Sequence, residues 1–76
     1  MKIEILGMGC QKCGTLYNNA KQAAQELGIA AEFAKVENIQ DIMKYGVMST
    51  PALVVDGTVK VFGKVPNVEE IKTYLR

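Results

Sequence analysis

The sequence predicts an α/β fold in which a mixed four-stranded sheet carries helices on both faces, in the order β-α-β-α-β-β-α. Three observations predict this fold. A short alternating run from Lys2 to Leu6 is followed by a long stretch of helix-forming residues without proline. Two runs rich in β-formers flank Asp56-Gly57, which indicates a hairpin. A helical pattern with a capping residue, Asn67, closes the chain.

The first elements are a strand and a long helix. Alternation of apolar and polar residues from Lys2 to Leu6 predicts a strand with one buried face, or with both faces partly buried. Its Glu4 is expected to face solvent. The segment from Gly7 to Gly9 interrupts this strand, since two glycines around a methionine allow a sharp turn. A helix is expected from Gln11 to Leu27, and Gly28 is its stop signal. Residues at helical spacing mark its inner face: Leu16, Ala20, Ala23, Ala24 and Leu27.

The next elements are a second strand and a short helix. The strand is expected from Ile29 to Val36, parallel to the first because a helix connects the two. Asn38 is a suitable N-cap for a helix from Ile39 to Tyr45. The apolar stripe of that helix consists of Ile39, Ile42 and Met43. Gly46 ends it, and a loop leads to Pro51.

The last elements are the hairpin and the closing helix. The hairpin strands are Ala52 to Val55 and Thr58 to Phe62, antiparallel to each other. Their connection, Asp56-Gly57, suits a tight turn that needs positive φ at both central positions. After Asn67 the helix places Glu69 and Glu70 in its first turn, where negative charge is favourable. Its inner face is formed by Val68, Ile71 and Leu75.

Composition excludes several classes of function. A chain of 76 residues predicts one domain, residues 1–76, with one core. The net charge of +1 and the scattered lysines predict no nucleic-acid binding, and no apolar run reaches membrane-spanning length. There is no histidine, which excludes mixed Cys/His zinc sites and histidine-based acid–base catalysis. With only two cysteines the chain does not resemble a secreted disulfide scaffold, so we expect a cytoplasmic protein. We also expect a monomer.

The two cysteines are Cys10 and Cys13, in the sequence Cys-Gln-Lys-Cys at the predicted strand-to-helix junction. Their disulfide would close a tiny loop and stabilise the fold little, so a redox or metal-binding role is the better explanation. At a helix N-terminus, exposed backbone N–H groups and the nearby Lys12 should lower the pKa of Cys10 below the free value of about 8.5. Cys13 lies one turn further in and should be more buried. Cys10 is therefore the expected nucleophile and Cys13 the resolving thiol.

Thr50-Pro51 is the second candidate site. Proline has no N–H to donate and is confined to the first position or the edge of a strand, and Pro51 directly precedes the run from Ala52 to Val55. An X-Pro bond can be cis at modest cost. A cis bond would turn Thr50 outward, so that its backbone could pair with a bound partner strand beside the cysteines.

These features together resemble the thioredoxin-like superfamily over essentially all 76 residues. The chain is most similar to the small redox-active disulfide proteins of archaea and bacteria. The resemblance implies a thiol–disulfide oxidoreductase with catalytic Cys10 and Cys13, cis-Pro51, and a substrate-binding surface formed by Met8, Gly9, Thr50 and Pro51. It implies a protein disulfide as substrate, an upstream reductase as partner, and no cofactor and no metal.

The chain departs from the thioredoxin pattern at several positions. Thioredoxins usually have tryptophan before the first cysteine and Gly-Pro between the pair, whereas this chain has Gly9 and then Gln11-Lys12. The buried acid that assists proton transfer in thioredoxins has no expected counterpart, because Glu4 is predicted to face solvent. The stretch from Gly63 to Asn67 does not reproduce the glycine-glycine-acid site with which glutaredoxins hold glutathione.

A second interpretation stays open at this point. The segment from Gly7 to Cys13 also resembles the Gly-Met-x-Cys-x-x-Cys site of copper chaperones, and two thiolates suit Cu(I). Those domains run β-α-β-β-α-β and end on a strand, whereas this chain is predicted to end on a helix. The structure of the last segment therefore separates soft-metal binding from redox chemistry.

Overall fold

A computed structural model describes residues 1–7 and 11–76 of the chain. Its element order is β-α-β-α-β-β-α, as predicted. The strands are β1 (Lys2–Leu6), β2 (Glu32–Val36), β3 (Ala52–Val55) and β4 (Thr58–Phe62). The helices are α1 (Gln11–Leu27), α2 (Ile39–Lys44) and α3 (Val68–Leu75).

The strands form a mixed sheet in the order β2-β1-β3-β4. β1 and β2 are parallel, with Ile3 opposite Phe33, because helix α1 connects them. β1 and β3 are antiparallel, with Leu6 opposite Ala52. β3 and β4 form the predicted hairpin, whose register shifts between Leu53 and Val54. β1 therefore lies inside the sheet, with a neighbouring strand on each side.

The hairpin turn has the backbone that its sequence predicts. Asp56 and Gly57 have φ angles of 50° and 83°, so both central residues are left-handed, as a primed two-residue turn requires. Asp56 also fixes the start of β1, since its carboxylate accepts a hydrogen bond of 2.8 Å from the N–H of Lys2. These contacts join the far end of the hairpin to the first strand.

Two apolar clusters cover the two faces of the sheet, and the helices lie on both. On one face, strand residues such as Ile3, Ile5 and Leu53 pack against α1 and α3. On the other face, Leu6, Ala52 and Val54 pack against Ile42 of α2 and against Val47. This arrangement confirms the predicted fold class. Among residues 1–7 and 11–76, none of the helices combines the length and the apolar character needed to cross a membrane.

The second strand begins three residues later than predicted, at Glu32 instead of Ile29. The reason lies in the end of α1. Gly28, at a φ of 70°, donates its N–H to Gln25, and Ile29 donates to Ala24 at 2.9 Å. This pair of hydrogen bonds is a Schellman cap, so the N–H of Ile29 satisfies the helix end and takes no part in the sheet.

The short helix α2 differs from its prediction on one side. Asn38 caps it as expected, by accepting a hydrogen bond from Gln40. Of its predicted apolar stripe only Ile42 is buried, whereas Ile39 is 50% exposed and Met43 is 66% exposed. A helix of six residues has room for about one inward-facing side chain, so the prediction for Ile39 and Met43 was wrong.

The closing helix α3 is held at its start and against α1. Asn67 accepts a hydrogen bond of 2.8 Å from the N–H of Glu70, and the Glu70 carboxylate accepts one from the N–H of Asn67, which completes a capping box. The Lys72 ammonium bonds Glu26 of α1 and Glu69 of α3. These carboxylates raise the pKa of Lys72, mainly through the hydrogen bond to Glu26.

Candidate active site

Cys13 lies in the first turn of α1 and is buried, with 7% of its surface exposed. It packs against Gly7, the residue that follows β1. A Cβ atom at position 7 would overlap the Cys13 Sγ and would lie 3.1 Å from the Cys13 Cβ. The N–H of Gly7 bonds the carbonyl of Val36 at 2.9 Å, which holds this backbone next to the end of β2. Glycine is therefore required at position 7, because any larger residue would place its Cβ in the volume that the Cys13 thiol occupies.

The Thr50–Pro51 peptide bond is cis. Thr50 is exposed, whereas Pro51 is buried and directly precedes β3. Because Leu6 lies opposite Ala52 in the antiparallel pair, the C-terminal end of β1 and the start of β3 lie side by side at the same end of the sheet. Gly7, which contacts Cys13, and the Thr50–Pro51 bond are therefore both at this end of the sheet. Of the two candidate sites, Cys13 and the Thr50–Pro51 bond thus lie at the same end of the sheet.

Three of the predicted site residues, Met8, Gly9 and Cys10, lie outside the described residues. Their assignments as nucleophile and as substrate-binding residues stay predictions. Cys13, Thr50 and Pro51 are described and lie at the end of the sheet where β1 ends.

Glu4 corrects one prediction, because it is buried, with 9% of its surface exposed, and does not face solvent. Both carboxylate oxygens accept from the hydroxyl of Tyr45, at 2.9 Å and 2.8 Å. Tyr45 is the C-cap residue of α2, so this contact ties the end of α2 to β1. The missed signal was the position of β1, since a strand with neighbours on both sides and helices on both faces buries alternate residues on each face.

The bond to Glu4 raises the pKa of Tyr45 above the ordinary value of 10.0, with burial as a second cause. We expect Tyr45→Phe to lower the free energy of unfolding by about 1–2 kcal/mol, because the buried carboxylate loses its donor. A raised folded-state pKa contributes stability that is complete below pH 10 and is lost as pH rises through the folded value. The difference between wild type and variant should therefore shrink above pH 10 in urea melts.

The matched control for this prediction is Tyr74→Phe. Tyr74 is half-buried, and in the described part of the chain its hydroxyl makes no hydrogen bond. We expect its removal to change stability little, with no added pH dependence near 10. Equal losses in the two variants would show that the Tyr45 hydroxyl contributes no specific bond.

An apolar groove of about 310 Å³ adjoins Thr50. It is lined by the exposed side of α2 and by the loop that follows it, with Ile39, Met43 and Met48 among its residues. Met48 is 95% exposed. Flexible methionine side chains can adapt to varied apolar surfaces, so this groove is suited to contact with another polypeptide beside the site.

The profile of the thioredoxin domain family matches residues 1–76. The chain belongs to the thioredoxin domain family. A thioredoxin from Methanothermobacter thermautotrophicus is 47% identical over 75 residues, which cover 99% of this chain and 97% of that protein. A thioredoxin from Methanocaldococcus jannaschii is 45% identical over 74 residues, which cover 97% of this chain and 85% of that protein.

Membership of the thioredoxin domain family agrees with the structure of the last segment. Helix α3 closes the chain, as the redox interpretation predicts, whereas copper-chaperone domains were expected to end on a strand. The soft-metal alternative gains no support from the related proteins. Within residues 1–7 and 11–76, no cluster of three or more Cys, Asp or Glu side chains is placed to hold a metal ion.

Proposed function

We propose that this thiol–disulfide oxidoreductase acts through Cys10 as the nucleophile and Cys13 as the resolving thiol. The observation that carries the proposal is the burial of Cys13 at the end of the sheet where the Thr50–Pro51 bond also lies. Cys10 precedes Cys13 by three residues and directly precedes α1. A buried second thiol is sheltered from large partners and reacts with a sulfur that is already bound next to it.

The proposed reaction has two exchange steps. The Cys10 thiolate attacks one sulfur of a partner disulfide, so that a mixed disulfide forms and the other partner sulfur leaves as a thiolate and takes up a proton. Cys13 then loses its proton and attacks the Cys10 sulfur. This step forms the Cys10–Cys13 disulfide and releases the second partner thiolate. Two electrons pass to the partner, and an upstream dithiol or reductase restores them.

The proposed substrate-binding residues are Met8, Gly9, Thr50 and Pro51. Support for this role comes from Thr50, which is exposed beside the site and whose backbone can pair with an extended partner segment. The apolar groove of Met43 and Met48 continues this surface. A partner held by backbone hydrogen bonds and apolar contacts would be recognised more by shape than by exact sequence.

Thioredoxins carry a buried acid that assists proton transfer, and the buried Glu4 does not take its place. Glu4 is buried on the strand that leads to Gly7, against which Cys13 packs. Its side chain lies on the face that α2 covers, where it bonds Tyr45, whereas α1 with Cys13 packs on the opposite face. We therefore assign Glu4 to holding α2 against β1 and give it no part in the exchange.

Thioredoxins act on protein disulfides and are restored by reductases. We propose the same two kinds of partner for this chain, which would act as one domain and as a monomer. A cytoplasmic location is proposed because the chain carries two cysteines and uses them for exchange, which requires a compartment that can reduce them again.

The proposed function is tested with the wild-type protein. Mild oxidation of the reduced chain should lower its mass by two hydrogens, and peptide mapping should show a Cys10–Cys13 bridge. The reduced chain should then cleave the disulfides of insulin and become oxidised in equal amount. Failure to exchange with either insulin or oxidised dithiothreitol would refute the proposal.

A further inference from the structure

A second groove, of about 510 Å³, borders the other side of the site. One wall is the N-terminal part of α1, with Gln11, Lys12 and Thr15. The other is the loop after β4, with Gly63, Lys64 and Val65. Lys12 and Lys64 are both exposed. The groove therefore carries two positive charges, and no acidic residue is among those lining it.

The two lysines also differ from most others in the described part of the chain. Lys44 and Lys72 are in ion pairs, and Lys21 and Lys35 lie over the ring of Tyr17. Lys12 and Lys64 have no acidic side chain within ion-pair distance among residues 1–7 and 11–76. Their charge is thus available to an acidic group from outside the chain.

The loop wall of this groove is fixed to the site. The N–H of Gly63 donates a hydrogen bond of 2.9 Å to the carbonyl of Pro51. The side-chain amide of Asn19 in α1 donates one of 3.2 Å to the carbonyl of Pro66. Lys64 lies between these two anchors, so it is held near both the Thr50–Pro51 bond and α1.

We propose that this groove binds an acidic segment of the partner polypeptide next to the disulfide that is exchanged. The inference rests on the proposed function and deepens it, because it names the partner chemistry that the site favours. Lys12 lies between the two cysteines, so a carboxylate bound to it belongs to residues that flank the reacting sulfur. The groove is a specificity site, because its lysines bind the partner and form no bond to the exchanged sulfurs.

The test uses two synthetic peptides, each with one internal disulfide, that differ only in three aspartates or three asparagines beside the first cysteine. At low salt, the reduced wild-type protein should cleave the aspartate peptide about three- to ten-fold faster, since each exposed charge pair contributes up to roughly five-fold. This ratio should fall towards one in about 1 M salt, where charges are screened within about 3 Å.

Variants assign the preference to the groove. Lys64→Gln should lower the ratio about two- to three-fold, and the Lys12→Gln/Lys64→Gln double variant should abolish it. The ratio cancels any effect of Lys12 on thiol reactivity. Lys44→Gln removes an equal charge from α2 and should leave the ratio unchanged. Equal rates for both peptides, or a preference kept by the double variant, overturn the inference, while cleavage of neither peptide overturns the proposed function as well.

Discussion

Replacing Cys13 with serine will stop multiple turnover and leave the protein covalently joined to its partner. Serine cannot attack the mixed disulfide, so the reaction stops after the first exchange. We expect turnover with a protein disulfide to fall by roughly a thousand-fold or more, as for loss of an essential nucleophile. Non-reducing gels and mass spectrometry should show an adduct through Cys10.

The reciprocal variant, Cys10→Ser, provides the control. Cys13 is buried, so it should react slowly with a protein disulfide and should form little adduct. Turnover should be lost to the same extent in both variants, but only Cys13→Ser should accumulate the adduct. An adduct formed through Cys13 in the Cys10→Ser variant would instead reverse the proposed roles.

Local signals made most of the fold predictable. Asp56-Gly57 and Asn67 act on a few neighbouring residues, and both produce the turn and the cap that their types predict. The placement of Thr50–Pro51 near Cys13 was not predictable in this way, because it depends on the pairing of β1 with β3, which only the structure shows. Once β1 is parallel to β2 and antiparallel to β3, the end of β1 must meet the start of β3.

Glu4 was mispredicted because period-two alternation was applied to a strand that is buried on both faces. Alternation assigns polar residues to solvent, which holds when one face of a sheet is open. In β1, Ile3 faces α1 and α3, and the opposite face is covered by Ile42 of α2 and by Val47. The sequence order already implied this position. The order of elements did not identify the hydrogen-bond donor of Glu4, since Tyr45 is 41 residues away in the chain.

Gly7 shows a second limit of sequence reasoning. The sequence indicated a turn-forming role for the glycines around Met8, which is a property of the backbone alone. The structure gives Gly7 a different role, because its missing side chain leaves room for Cys13, six residues later. Such a steric need depends on how α1 packs against the end of β1, and no local pattern in the sequence reports it.

Gly7→Ala should therefore lower the free energy of unfolding by about 1–3 kcal/mol, the usual range for overpacking a filled site. The new methyl group overlaps the Cys13 Sγ, and Gly7 is held in place by its bond to Val36. Urea melts under reducing conditions measure the change. Turnover should also fall, because Cys13 can yield only by moving away from its position beside the site.

The matched control is Gly14→Ala, one residue after Cys13. A Cβ at position 14 has no described atom within 4 Å, so this variant should gain about 0.5–1 kcal/mol from the better helix propensity of alanine. Cys13→Ala should in turn relieve much of the cost of Gly7→Ala, which a double-mutant cycle reports as a coupling of about 1–2 kcal/mol. The relief stays partial because the Cys13 Cβ itself lies 3.1 Å from the added carbon. Strictly additive losses would mean that the thiol and Gly7 do not share this space.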